Sequence, residues 1–478
     1  ERAFGIAARI DLQQIAAALY LIVASLEMDL QDLRDVAGNS DEVLSIETPL
    51  GNIIIGSPGD DVYTGPAPAL LIEAGGDDLY RFQEPSRLCV IIDLAGEDTY
   101  ACADQVFLGA GIGGIGVLVD CAGDDRYIGG SFSFGSGFLG AGMLADLDGD
   151  DRYVARMFCQ GAASFGIGVL YDGAGKDAYS CGLYGQGMGA VAGAGVLVDM
   201  DGDDDYRSGY EVADLREKNK GFQTYSQGFA TGVRQFAGGG VGLLFDGRGD
   251  DRYSGSYFCQ GSSYWHALGL LIDEQGDDSY QARRYSQGAG VHASVGALFD
   301  GSGDDAYLSW GVSQGCGHDV AVGLLYDSRG SDRYEAGWLS QAAGSSMGIG
   351  LLVDDDGDDS YEAGSGSAVQ GGGAYDERRD GISLGMLVDR AGRDLFSSLP
   401  DRQALWRRGG RGGGIDAGGN RPSVWNYARS ADGEPDSPEQ QEEQELPAPV
   451  RVLDALEAPL LLEASWKQAA EKLVAQGP

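Results

Sequence analysis

The sequence predicts an all-β fold, a right-handed parallel β-helix with 26–27 residues per turn and about 13 turns. Three observations predict it. An eight-residue phrase recurs 13 times, a leucine recurs at a fixed distance upstream of it, and no 3.6-residue apolar period runs through the repeat. The 80 glycines against 13 prolines, with 43% apolar residues and no three-residue period, exclude collagen and describe a tightly wound β chain with material for a core.

The phrase reads Asp, two residues, Gly, one residue, Asp, one residue, aromatic. Its aromatic falls at Tyr63, Tyr80, Tyr100, Tyr127, Tyr153, Tyr179, Tyr206, Tyr253, Tyr280, Tyr307, Tyr334, Tyr361 and Phe396. An aspartate stands two residues before every one of these, and a first aspartate stands seven before in eleven copies; the opening two copies have Gly56 and Glu73 there. The residue after the glycine is freer, since Glu97, Lys176, Ser331 and Arg393 all occur, so the two fixed aspartates carry the constraint.

Upstream of the first aspartate each full turn has Gly, apolar, Leu, apolar, as in Gly242-Leu243-Leu244-Phe245-Asp246. With turns stacked at about 4.8 Å, the leucines from Leu118 and Leu144 to Leu352 and Leu387 form an internal ladder. Downstream of the aromatic a glutamine recurs (Gln160, Gln186, Gln227, Gln260, Gln287, Gln314, Gln341, Gln370), expected to bond amide to amide along the axis. Cys159 and Cys259 fill a position that other turns give to Ser226, Ser286, Ser313 and Ser340, so they read as small buried residues. Seven cysteines without CxxC or Cys/His zinc spacing exclude a disulfide framework.

The chain divides into a helical N-terminal cap (1–44), the β-helix (45–400), a Gly/Arg-rich then acidic Pro-rich linker (401–449) and short C-terminal amphipathic helices (450–478). The cap rests on the apolar set Ile10, Ile15, Leu19, Ile22, Val23 and Leu26, the C-terminal helices on Val452, Leu456, Leu460, Leu462, Trp466, Ala469 and Leu473. Two turns carry insertions, about twenty residues between Tyr206 and Gln227 and a smaller one around 371–381. The charged stretch 211–220 is a side loop, either a binding lip or a tolerated decoration.

Lys plus Arg number 33 against 74 Asp plus Glu, a formal charge of −41, which repels nucleic acid and anionic lipid and favours cations. The longest apolar run, 15–26, is too short to span a bilayer. The initial Glu reads as the start of a processed or trimmed chain, and the compartment expected is the periplasm, the outer-membrane surface or the exterior.

The segment Asp172-Gly173-Ala174-Gly175-Lys176-Asp177-Ala178-Tyr179 resembles the Gly-x-Gly-x-Asp-x-apolar signature of calcium-binding nonapeptide (RTX-like) repeats, with Asp in place of the leading Gly. Similar wording recurs at 247–253 and 301–307. The likeness covers about eight residues in each 27, once per turn where that family's β-roll has it twice; the pattern as a whole is similar to a bacterial family of acidic β-helix repeats without established activity. The resemblance implies calcium held between turns by Asp172, Asp177, Asp199, Asp204, Asp246, Asp251, Asp273, Asp278, Asp300, Asp305, Asp327, Asp332, Asp354 and Asp359. Independently, carboxylates repeated at about 4.8 Å repel by over ~1 kcal/mol per pair at an effective dielectric of 20 to 40, which a cation would relieve. The other reading is that each aspartate caps its turn by accepting backbone N–H bonds.

The three histidines, His266, His292 and His318, fall in successive turns at six, five and four residues after Gln260, Gln287 and Gln314. Tyr264, Trp265, Arg283, Arg284, Trp310, Cys316 and Asp319 surround them. Such a set suits a transition metal or a substrate, or is locally varied packing; a one-residue stagger along a strand reverses the face and would turn His292 away. The catalytic candidates are His292, His318, Cys316 and Arg284. Residues flanking the leucine ladder, such as Val117 and Val119, Leu243 and Phe245, Leu270 and Ile272, are apolar too, which implies an outer stripe covered partly by the chain's own helices and partly by a partner.

The function expected is a non-enzymatic, calcium-stabilised scaffold or binding module of the bacterial envelope that docks a protein or glycan partner. The competing expectation is a polysaccharide lyase or hydrolase whose groove holds Arg283, Arg284, His292 and His318.

Overall fold

The computed structural model describes residues 10–37, 42–102, 108–215, 221–364, 368–373, 375–397, 405–408 and 412–416. Consecutive copies of the phrase lie one over another as a parallel β-solenoid with three faces. The first face runs from Gly51–Ile55 through Leu384–Asp389 to Gly412–Asp416, and the second from Val62–Pro66 to Leu395–Phe396. The third is thin, made of two-residue strands such as Gly111–Ile112, Ser263–Tyr264 and Gly317–His318. Thirteen strands line the second face, one per copy; the first two intervals, of 17 and 20 residues, are short, which leaves about eleven full turns.

The leucine ladder is in register as the spacing requires, Leu244 opposite Leu271, Leu271 opposite Leu298 and Leu298 opposite Leu325, all fully buried. The other half of the core is aromatic. Twelve tyrosines from Tyr63 to Tyr361, closed by Phe396, stack ring on ring with centroids 4.5–5.2 Å apart and nearly parallel planes. Because strand spacing and aromatic stacking distance coincide, one register satisfies both the backbone ladder and the offset π contact.

Glycine is compulsory just before the second aspartate. Gly276 has φ +153°, and a Cβ there would lie 1.6 Å from the carbonyl oxygen of Gly249 one turn below; Gly303 repeats the geometry on Gly276 at 1.5 Å. The atom met is a backbone oxygen, so the corner can close only where the upper residue has no Cβ.

Helix α1 (Leu12–Ala37) begins at Asp11, whose carboxylate accepts the Gln14 N–H at 3.2 Å as an N-cap. Its Ala16, Leu19 and Val23 pack along the outer side of the first face, over Val90, Ile92, Val117, Val119, Met143, Val169 and Val198. The outer stripe is therefore covered by the chain's own helix over its first half. Further along, Leu243, Leu270, Leu324 and Leu351 remain half-buried and Met386 is exposed.

Two expectations are corrected. The 401–449 segment is not wholly linker, since Leu405–Arg408 and Gly412–Asp416 form a hairpin on the first face, Gly412–Asp416 in register with the Gly385 to Asp389 run because Ile415-Asp416 repeats its apolar-Asp ending. The first insertion is split: Tyr206 to Gln227 is 21 residues rather than seven, and Gln227 to Leu244 is 17 rather than 11. The second stands where expected, around 371–381, which is that same later point, for Gln370 to Leu387 is also 17. The expected helices at 450–478 lie outside the described residues.

Replacing Gly276 by Ala is expected to lower the thermal midpoint sharply, a loss of ~3 kcal/mol or more, while Asp277→Ala on the exposed side of the same corner is nearly neutral. Paired thermal melts of the two variants check this; equal midpoints would contradict the corner geometry.

Candidate functional site

Each turn builds the same buried corner between the first and second faces. The first aspartate ends the first-face strand and the second lies just before the second-face strand, and every one from Asp93 to Asp389 is 0–3% exposed, so the aspartates line an interior column. The tyrosine hydroxyl of one turn donates to the first aspartate of the next, at 2.5–2.8 Å from Tyr127–Asp146 to Tyr334–Asp354. The pairs Tyr63–Glu73, Tyr80–Asp93 and Tyr100–Asp120 repeat it at the start, Glu73 standing in for the missing aspartate.

The second aspartate does a different job. Its Oδ1 accepts the backbone N–H of the second aspartate one turn below, at 2.6–2.8 Å from Asp98–Asp125 to Asp332–Asp359. The freer residue after the glycine forms a parallel external rung in the opposite sense, Asp277 N–H donating to Asp250 and Asp304 N–H to Asp277. Lys176 can occupy that place because its own N–H still donates to Asp150.

From Asp146 to Asp359 two oxygens per turn then lack a hydrogen-bond partner, for example Asp246 Oδ1 with Asp251 Oδ2, and Asp300 Oδ1 with Asp305 Oδ2, whereas Asp93 and Asp120 still accept the N–H of Ala95 and Ala122. The two carboxyls of a turn lie within hydrogen-bond reach of one another, as in Asp246–Asp251, Asp273–Asp278 and Asp300–Asp305. Burial raises all of these groups: Asp251 to about 7, Asp278 and Asp332 to about 8, Asp204 to about 11 and Asp305 to about 12, with Asp246 and Asp273 also well above the usual range. A carboxyl pair that close cannot carry two charges in a dry site, so each pair needs a shared proton or a cation. Among the described residues, three-aspartate groups recur along the column from Asp78–Asp93–Asp98 through Asp125–Asp146–Asp151 to Asp177–Asp199–Asp204, each offering oxygens within 4.8 Å of one another.

The glutamine row works differently from the amide ladder expected. Each Nε2 donates to the tyrosine carbonyl of its own turn and to a carbonyl of the next, as Gln260 does to Tyr253 (2.9 Å) and Gln281 (3.1 Å). The backbone carbonyls lie in the amide's path, so the side chain staples successive turns instead of its own kind.

The histidines divide. His292 shares its rung position with Trp265 and Asp319, and His318 stands in register with Val291 and Tyr264. A left-handed backbone at His292 (φ 58°) re-aims the side chain, so the stagger does not send it away: its ring lies 6.1 Å from that of His318 and edge-on to Tyr264 at 4.9 Å. His292 Nδ1 pairs with Asp319, whose other oxygen is taken by Arg379 from the second insertion. Burial, reinforced by Arg234 and Arg379, lowers His292 to about 4; burial, with His292 and Arg379, does the same for His318. His266 packs against Trp265 instead.

Two named candidates belong elsewhere. Cys316 is fully buried among Ala289, Val291 and Ala343, where burial pushes its thiol up and leaves it a packing residue. Arg284 lies in the row Tyr257, Arg284, Gly311, Trp338 and stacks its guanidinium over Trp338 at 4.7 Å. Cys159 and Cys259, like Ser226 and Ser286, are fully buried.

Sequence reasoning missed an outer aromatic row two residues before the glutamines. Tyr184, Tyr225, Phe258 and Tyr285 follow one another, stacked with ring centroids 4.7–5.0 Å apart, each at positive φ. Tyr184, Tyr225 and Phe258, with Phe158, Met188, Thr231, Arg234 and Tyr264, border an open groove of about 570 Å³. Its signal was present in the sequence as an aromatic at a fixed distance from each of five glutamines.

Tyr280→Phe should cost ~1–3 kcal/mol by leaving Asp300 without its 2.6 Å donor, and Tyr280→Leu should cost more because the stack is broken as well; denaturant melts rank the two. Imidazole nitrogen shifts should show His292 and His318 neutral at pH 6, with protonation only near pH 4. Comparison of the chain with family models, with curated proteins and with solved structures returns no match.

Proposed function

We propose that the chain is a non-enzymatic binding scaffold of the bacterial cell envelope whose turns are clamped by calcium. The observation that carries this is the column of buried carboxyl pairs with oxygens that no protein donor reaches. The donor set fits a hard cation, because every ligand atom in it is a carboxylate oxygen. Three carboxylates are fewer than the six to eight oxygens calcium takes, which suits the weak, millimolar class of site satisfied outside the cell. The uncovered half of the apolar stripe, from Leu243 to Met386, supports a docking role for the long face.

Proton and cation compete for the same place. Each carboxyl's folded value lies above its unfolded one near 4, so without a cation its contribution to stability is complete below about pH 4. That contribution is lost as pH rises through about 7 for Asp125 and Asp251 and about 8 for Asp177, Asp278 and Asp332. In chelator the melting temperature should therefore fall between pH 5 and pH 9, and millimolar calcium should raise it more at pH 8 than at pH 5. A midpoint at pH 8 indifferent to calcium would remove the metal from the reading.

The catalytic reading, a polysaccharide lyase or hydrolase, has one observation in its favour: Asp319 holds His292 by Nδ1 beside Tyr264. It requires glycan cleavage that disappears in His292→Ala and His318→Ala, and a broad panel of acidic polysaccharides left intact by the parent protein rules it out.

A further inference from the structure

The outward row of the first face runs in register from Met143 through Val196, Leu270 and Leu351 to Met386 and Gly413. Met143 and Met386 therefore hold the same place in their turns, yet Met143 is fully buried in the cluster that α1 joins and Met386 is 47% exposed. Whole strands change in the same way. Ala141–Ala145 and Ile167–Tyr171, the two against which α1 packs, are buried at every residue, whereas Leu268–Asp273 and Val322–Asp327 alternate buried with half-buried. Where this face is covered, its cover is thus one amphipathic helix.

The uncovered half, from Leu268–Asp273 to Gly412–Asp416, is six strands long. Strand spacing makes it about 24 Å along the axis and about 13 Å across. That is roughly 300 Å², well under the ~800 Å² per side that a stable pair of proteins buries. It is the footprint of a single helix of about 16 residues. Near its far end Gly413 removes a side chain from the outward row, leaving an apolar recess of about 380 Å³ between Leu351, Leu384, Met386, Leu405 and Ile415.

The chain holds a matching segment outside the described residues. After Pro459, a residue suited to a helix's first turn, Leu462, Trp466, Ala469 and Leu473 recur at the four-three-four spacing of one helical face, with Glu471 opposite. Helix α1 meets the first half through Ala16, Leu19 and Val23 at the same kind of spacing. Strand Gly412–Asp416 delivers the chain at the recess itself, and 42 residues, 417 to 458, separate it from Pro459. A flexible chain of that length has an end-to-end distance of roughly 35 Å, enough to reach any point of the stripe. We propose that residues 460–475 dock on the uncovered half of the first face as an amphipathic helix, with Trp466 in the recess beside Gly413. The inference rests on the docking role read for the long face and names its occupant; it needs neither calcium nor catalysis.

The test is photo-crosslinking in the full chain, with Met386→p-benzoylphenylalanine as the probe and Ile128→p-benzoylphenylalanine, exposed on the second face, as the control. Irradiation and peptide mapping are expected to join position 386 to residues 460–475 of the same chain and position 128 to none of them. Trp466→Asp and Leu473→Asp each cut that yield about tenfold, and Glu471→Ala on the opposite side leaves it unchanged. A crosslink from position 386 to a second copy, no crosslink to 460–475, or a yield that survives both aspartates overturns the assignment. Melts of the same variants with and without calcium keep the two readings apart. Absence of the crosslink with a calcium-raised melting temperature overturns the docking alone, and its presence with a melt indifferent to calcium overturns the clamp alone.

Discussion

The structure depends on one buried hydrogen bond repeated along an axis, from a tyrosine hydroxyl in one turn to the first aspartate of the next. A phenol sealed inside a stack of phenols has no water to donate to, so it must find an acceptor one turn on. That requirement fixes the aspartate, and the aspartate's remaining oxygen then lies beside the carboxyl of the second aspartate. The glycine corner follows from the same demand, since Gly276 must pass within contact of Gly249 for the aspartates to be carried inward. The register is thereby over-determined: leucines, tyrosines, aspartates and glutamines each form a row, and a slip of one residue would place every one of them on the wrong face.

The parts of this that were legible in the sequence are the parts that recur. A fixed leucine and a fixed aspartate imply rows, and rows imply a stacked turn, so the fold and the ladder followed from spacing alone. Direction did not follow. Spacing shows that Tyr253 and Asp273 are neighbours along the axis, but not that the ring lies inside the turn, so it does not show that the aspartates form an interior column. The glutamines went astray for the same reason: an amide row is implied by spacing, whereas the nearer carbonyls of Tyr253 and Gln281 that capture Gln260 are visible only in three dimensions.

At the histidine corner, legibility failed in an instructive way. Alternation along a strand predicts that a one-residue offset reverses a side chain, and it holds only where the backbone is extended. Trp265, His292 and Asp319 all have positive φ, with Ala293 and Val320 after them, so the chain there turns instead of alternating. His292 and His318 therefore meet across a nominal mismatch, while Cys316, still within the regular interior row, is turned into the core.

The left-handed residues give the final link between scaffold and site. Non-glycine side chains in that region cost of order 1 kcal/mol each, yet nearly every full turn places two of them around its glutamine, as at Phe258 and Gln260 or Tyr285 and Gln287. The glutamine's two bonds to successive turns give this corner a structural return. The aromatic partner is tied to the neighbouring turns by its backbone, Phe258 N–H donating to Arg284 and the Phe258 carbonyl accepting from Ser226 N–H. Its place outside the turn is a by-product of the same sharp corner, and the stack that results lays a row of ring edges along five turns, from Phe158 to Tyr285. Where the first hairpin interrupts the repeat, Thr231, Gly232, Val233 and Arg234 wall that row of ring edges on one side, so the departure from the repeat and the strained corner meet at one place.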